Sequence, residues 1–176
     1  MNNAAQTFST PVNCGSADAS QKAGHFSRIE GGRELQTRIV ISATTTQVWK
    51  ALTNFEAYPE WSRFVQQITE VGEEGQQIRV RIKPEGGSAM DFTPELLRFR
   101  EVRELRWLGK LFFKGLFDGE HYFRLEETHD GQTLLIHGEI FRGLMVWPIL
   151  ATMPKLAESF EAFNQSLKTR VEGMKK

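Results

Sequence analysis

The sequence is poor in the residues that build covalent and metal crosslinks. Of its 176 residues only one, Cys14, is a cysteine. A single thiol excludes an intramolecular disulfide and any zinc or iron–sulfur site made of several cysteines, and it is typical of proteins in reducing compartments. The four histidines have no cysteine companions and show no metal-ligand spacing. We therefore expect no bound metal.

Long apolar runs are also missing. The longest uncharged run in the body of the chain, residues 143–154, has 12 residues and contains two prolines. A transmembrane helix needs ~20 mostly apolar residues. The N-terminus has neither the basic start nor the apolar core of a secretory signal. We therefore expect a soluble cytoplasmic protein without a transmembrane segment.

An excess of charge of one sign is absent as well. Lys and Arg together number 22 and so do Asp and Glu, which gives a net charge of zero. Proteins that bind nucleic acid commonly carry a clear positive excess, so we expect no nucleic-acid partner. The motifs GxGxxG, GxxxxGK[ST], GxSxG and HExxH do not occur. No cofactor is expected on this basis.

The N-terminal part differs in composition from the rest. Residues 1–34 contain 16 residues drawn from Asn, Gln, Ser, Thr, Gly and Pro. Such a segment buries too little apolar surface to offset the entropy of ordering. We predict a flexible N-terminal tail over residues 1–34, which includes Cys14, and one folded domain over residues 35–176.

From Leu35 onward, apolar periodicity predicts alternating local structures. Two short helices follow the first strand, one capped by Thr44 and one broken near Pro59. A period of three to four residues from Met153 to Met174 predicts a long amphipathic helix, and 143–152 is a separate bent piece before it. Alternation predicts strands at 35–42, 64–71, 77–83, 90–102 with an interruption near Pro94, 105–108, 121–127 and 133–141.

This order and several segments resemble a known superfamily. The segment ISATTTQVWKALTNFEAYPEW, residues 41–61, resembles the SRPBCC superfamily, which includes START lipid-transfer domains, birch-pollen-allergen-like proteins and the polyketide cyclase/dehydrase group. RVRIKP at 79–84, GLFDGEH at 115–121 and EIFRGL at 139–144 are similar to an uncharacterised bacterial branch of that group. The resemblance covers about residues 35–174. It implies an α+β helix-grip fold, in which a curved antiparallel sheet wraps around the long C-terminal helix and leaves an internal apolar cavity.

Strand parity and the usual arrangement of this superfamily indicate which side chains face the cavity. His121 and Glu139 are the two titratable groups placed against an apolar lining, and they are candidates for an acid/base pair. The alternative is a structural hydrogen bond between them or a position at a wet cavity mouth, because buried polar pairs occur widely without catalysis. The predicted ligand-binding residues are Ile78, Val80, Ile82, Trp107, His121, Phe123, His137, Glu139, Phe141, Phe160 and Phe163.

Three functions remain open at this point. The first is binding or transport of a small hydrophobic molecule, such as a lipid, an aromatic or a polyketide-like compound. The second is a cyclase/dehydratase-type enzyme that uses His121 and Glu139 on such a molecule. The third is a protein-interaction module of the chaperone-cofactor kind. A homodimer is left open as a further partner.

Overall fold

A computed structural model describes residues 24–111 and 113–174, which form an α+β fold. The strands are β1 (His25–Ile29), β2 (Gly32–Ile41), β3 (Val65–Thr69), β4 (Arg79–Ile82), β5 (Met90–Phe92), β6 (Glu95–Arg100), β7 (Glu104–Leu111), β8 (Phe117–Glu127) and β9 (Thr133–Arg142). The helices are α1 (Thr45–Thr53), α2 (Tyr58–Trp61), α3 (Val146–Ala151) and α4 (Leu156–Gly173), with one 3₁₀ turn at Phe55–Ala57. Across these described ranges, no helix is both long and apolar enough to cross a membrane.

The strands form two antiparallel sheets. The larger sheet has the order β1-β2-β9-β8-β7-β6 and the smaller has the order β3-β4-β5. Pro94 separates β5 from β6 because proline has no N–H for a strand ladder, which is the interruption that the sequence predicts. The two sheets meet at the bridge between Gln77 and Glu95 and at the hydrogen bond from Ile78 N to Pro94 O, 2.9 Å. The combined surface curves around α4, as the helix-grip fold requires.

The N-terminal hairpin lies partly inside the predicted tail. β1 and the start of β2 occupy residues 25–34, and β1 pairs with β2 in antiparallel register. Two features account for the formation of this hairpin: Gly31 has a φ of +69° in the connecting turn, and the ring of Phe26 lies 6.4 Å from that of Phe141. The ordered domain therefore includes residues that composition assigned to the tail. The remainder of the predicted tail, residues 1–23 with Cys14, lies outside the described residues.

Helix α1 begins where the sequence predicts. The side chain of Thr44 accepts a hydrogen bond from the backbone N of Gln47 at 3.3 Å, and the side chain of Gln47 accepts from the backbone N of Thr44 at 3.0 Å. This reciprocal capping box satisfies two N–H groups that a helix start leaves unpaired. Tyr58 in α2 donates its hydroxyl to the carbonyl of Leu52 at 2.6 Å, which ties the second short helix to the first.

Helix α4 lies in the concave face of the larger sheet. It has 18 residues and begins at Leu156, three residues after the predicted start at Met153, because Pro154 precedes it and the chain turns there. The buried stripe contains Phe160, Phe163 and Leu167, which pack against the sheet. Asn164 lies within the same stripe and is 2% exposed. A polar side chain in that position needs a hydrogen-bond partner.

Candidate functional site

An apolar cavity of about 120 Å³ lies between the two sheets and the segment from α3 to the start of α4. An engineered apolar cavity of ~150 Å³ holds a benzene molecule, so this volume suits a group the size of one ring. Gly109 and Gly119, which are opposite each other in β7 and β8, form a part of the wall that has no side chains. The apolar lining consists of Phe64, Val80, Ile82, Met90, Phe92, Pro94, Trp107, Leu111, Phe117, Phe141, Ile149, Met153 and Leu156.

The polar side chains of the lining are Lys110, His121 and Glu139. Lys110 is paired with Glu95 at 3.4 Å, and both side chains are more than one third exposed. His121 and Glu139 are opposite each other in β8 and β9 and lie deeper, with side chains 6% and 19% exposed. These two groups are therefore the polar end of an otherwise apolar space.

The structure divides the predicted ligand-binding residues into two sets. Those that line the cavity are Val80, Ile82, Trp107, His121, Glu139 and Phe141. Those that do not are Ile78, Phe123, His137, Phe160 and Phe163, all buried in the core. The difference arises because the ring of Phe160 stacks on His137 at 4.1 Å and that of Phe163 lies 5.1 Å from Trp61. These contacts fill the middle of the concave face and confine the cavity to one end.

Some lining residues were not predicted because two of the strands are longer than the sequence pattern indicated. β7 continues through Gly109 to Leu111, and β8 begins at Phe117, whereas the predicted strands stopped at residue 108 and began at 121. Continuing the same alternation along both strands would have found Leu111, Phe117 and the two glycines. Phe64 and Ile149 are brought to the cavity by tertiary packing, and no local pattern indicates that they line it.

A chain of hydrogen bonds runs from the cavity into the core. His121 Nε2 lies 2.9 Å from His137 Nε2, and His137 Nδ1 lies 2.8 Å from Asn164 Oδ1. Asn164 Nδ2 donates to Thr37 Oγ1 at 2.8 Å, and Thr37 Oγ1 donates to the backbone carbonyl of His137 at 3.0 Å. At the cavity end, Glu139 Oε2 lies 3.5 Å from His121 Nδ1. Four side chains from β2, β8, β9 and α4 are thus connected by hydrogen bonds, and Glu139 lies beside the cavity end of this line.

The proton positions along this line follow from its inner end. The backbone carbonyl can only accept, so the hydroxyl of Thr37 donates to it and accepts from the amide nitrogen of Asn164. The amide oxygen of Asn164 therefore faces His137, whose Nδ1 must carry the proton. His137 Nε2 is then an acceptor, and His121 donates to it from Nε2. In the neutral ring of His121, Nδ1 is left without a proton.

Burial keeps both imidazole rings neutral. It lowers the pKa of His121 to about 3, and it lowers the pKa of His137 well below its usual range, with the neighbouring His121 acting in the same direction. Trp107 stacks on His121 with ring centroids 4.7 Å apart and planes 2° from parallel. The aromatic faces hold the rings in place and exclude water from them.

Glu139 is neutral for the same reason. Burial raises the pKa of its carboxyl group to about 8, so the group carries its proton at neutral pH. The carboxyl group lies over Gly119, where an added Cβ would clash with Oε1. The site therefore offers one hydrogen-bond donor, the Glu139 hydroxyl, beside two acceptors, His121 Nδ1 and the carbonyl oxygen of the same carboxyl group. Across residues 24–111 and 113–174, no three metal-ligating side chains come together.

Comparisons with known proteins agree with this fold. A family described as polyketide cyclase/dehydrase and lipid transport matches residues 33–172. A START superfamily protein from Mycobacterium smegmatis is similar in structure with a TM-score of 0.63 and 18% identity, covering 80% of this chain and 98% of its own. The Zhui aromatase/cyclase from Streptomyces sp. R1128 is similar with a TM-score of 0.62 and 14% identity, covering 82% of this chain and 96% of its own. Among curated proteins the chain has no match.

Proposed function

Because the chain belongs to the polyketide cyclase/dehydrase and lipid transport family, we propose that its cavity binds and carries a small hydrophobic molecule. The observation that carries this proposal is the cavity itself, about 120 Å³ in volume with a largely apolar lining. An apolar pocket with a few converging polar groups is the usual form of a small-molecule site. Burial of the ligand's apolar surface supplies the affinity, and His121 and Glu139 orient its polar group.

The experiment is native mass spectrometry of the purified protein, combined with a variant that fills the cavity. Gly109→Leu places a side chain into the cavity, and a Cβ at this position meets only the carbonyl of Gly119 at 3.7 Å. We expect the wild-type protein to retain a small apolar molecule and Gly109→Leu to lose it while remaining folded. The matched control is Gly173→Leu, at a position where nothing lies within 4 Å of an added Cβ. Equal retention by wild type and Gly109→Leu would contradict the assignment of the cavity as the binding site.

A second candidate function is acid catalysis on the bound molecule. The observation that favours it is the protonated carboxyl group of Glu139 in the cavity, with its pKa raised to about 8. A general acid contributes ~10²–10⁴-fold to a rate. If the protein is an enzyme, Glu139→Gln keeps ligand affinity and loses turnover by about that factor. If it is a carrier, mass spectrometry finds the bound molecule unchanged with both forms of the protein.

A further inference from the structure

The polar end of the cavity restricts the chemistry of the ligand more narrowly than its apolar lining does. We infer that the ligand carries a hydroxyl group on an apolar skeleton the size of a ring, and that this hydroxyl donates a hydrogen bond to Nδ1 of His121 and accepts one from the carboxyl group of Glu139. This inference rests on the proposed function, because it describes the occupant of the same cavity.

The hydrogen-bond chain makes Nδ1 of His121 an acceptor. His121 donates from Nε2 to His137, and that direction is set at the far end by the hydroxyl of Thr37 and the amide of Asn164. Thr37, His137 and Asn164 are each no more than 2% exposed. The tautomer of His121 is therefore determined by groups that the ligand does not touch.

The spacing at the cavity end suits a single oxygen atom that both donates and accepts. Glu139 Oε2 and His121 Nδ1 are 3.5 Å apart, which is longer than a normal hydrogen bond. A hydroxyl oxygen beside both atoms reaches each at ~2.7–2.9 Å. A ketone, an ether or an ester has no proton for Nδ1 and leaves that nitrogen unpaired. A carboxylate would place an uncompensated charge in a buried site.

The volume of the cavity and its aromatic walls set the size of the skeleton. Trp107, Phe64 and Phe141 all line the cavity, and about 120 Å³ accommodates one six-membered ring. Phenol therefore fits the inference, toluene has the same shape without the hydroxyl, and benzaldehyde has an oxygen that only accepts.

The first test is a calorimetric comparison of phenol, toluene and benzaldehyde with the full-length protein. We expect phenol to bind roughly tenfold more tightly than benzaldehyde, since leaving one buried polar group without a hydrogen bond lowers the affinity by about tenfold or more. Toluene measures the contribution of the apolar walls alone. Binding of all three with no preference for phenol would overturn the inference and leave the proposed function standing. Failure of all three to bind would contradict the proposed function.

The second test determines the tautomer of His121 independently of ligand binding. Nitrogen-15 NMR of the wild-type imidazole groups should show the proton of His121 on Nε2 and none on Nδ1, whereas a protonated Nδ1 would overturn the inference without reference to binding. In Thr37→Val the amide of Asn164 loses its orientation, the chain can reverse, and the preference for phenol over benzaldehyde should fall several-fold. The control is Thr53→Val, because that hydroxyl donates to Trp49 O at 2.8 Å in α1, away from the cavity. A preference in Thr37→Val equal to that of wild type would also overturn the inference.

Discussion

The clearest quantitative consequence of a buried neutral carboxyl group is an effect of pH on stability, which Glu139→Gln should remove. Burial raises the pKa of Glu139 to about 8, whereas the same group in an unfolded chain titrates near 4.5. Between these values the folded state holds a proton that the unfolded state has released. The contribution of Glu139 to stability must therefore fall as pH rises through this range, by about 1.4 kcal/mol per pH unit. Glutamine has nearly the same shape, does not ionise, and can donate an N–H to His121 Nδ1.

The expected difference in stability between Glu139→Gln and the wild type follows from these two pKa values. Near pH 5 the variant and the wild type should differ by less than about 1 kcal/mol, and near pH 7 the variant should be more stable by about 3 kcal/mol. The assay is urea unfolding followed by tryptophan fluorescence at several pH values between these two. The control is Glu126→Gln, because Glu126 is about half exposed and paired with Arg124 at 3.1 Å. A difference between Glu139→Gln and wild type that does not grow with pH would refute the claim that Glu139 is protonated in the folded protein.

The histidines impose the opposite slope at lower pH. Burial lowers the pKa values of His121 and His137, so below about pH 6.5 the unfolded chain takes up protons that the folded protein does not. Stability should then fall as pH falls, because the unfolded chain binds two protons on the histidines, whereas the folded protein binds only one extra proton, on Glu139. The wild-type protein should be most stable near pH 6.5, and the maximum should move to higher pH in Glu139→Gln.

Three other substitutions test the core packing, the helix cap and the position of the Glu139 carboxyl group. Phe163→Ala should lose ~3–5 kcal/mol of stability in urea unfolding, because the ring is 1% exposed. The affinity for phenol should change little, since Phe163 does not line the cavity. A large change in affinity would show that the cavity boundary is wrong. Thr44→Ala should lose about 1 kcal/mol through the N-cap of α1, measured by thermal unfolding, and no loss would show that the cap hydrogen bonds contribute nothing. Gly119→Ala should displace the carboxyl group of Glu139 and weaken phenol binding several-fold, while Gly173→Ala should leave it unchanged.

The sequence predicts the parts of this structure that depend on local chemistry. The alternation of Leu135, Glu139 and Phe141 puts them on one face of β9, the family resemblance selects that face as the inward one, and the Thr44–Gln47 pair predicts the start of α1. Both depend on neighbouring residues or on a period of two, which can be read along one strand or turn. The fold class follows from the same patterns together with the family resemblance.

The extent of the cavity and its hydrogen-bond chain could not be predicted in the same way. Asn164 is a polar residue among buried apolar ones, which signals a buried partner without naming it. Its partners, His137 and Thr37, are 27 and 127 residues away in the sequence and meet it only after α4 packs on the sheet. Likewise, His137 and Phe123 share the face of His121, but the rings of α4 cover them and leave only His121 at the cavity.

The hydrogen bonds from His121 to the carbonyl of His137 all point in the same direction, from the cavity toward the core. The direction of donation leaves the unprotonated Nδ1 of His121 at the outer end of the row, so the row presents a nitrogen lone pair to the cavity. A molecule entering the cavity meets a partial negative charge made without any ionised side chain. Anionic compounds are disfavoured and acidic protons are attracted. Because the row is buried, dissolved salt screens this selection much less than it would screen a charged surface.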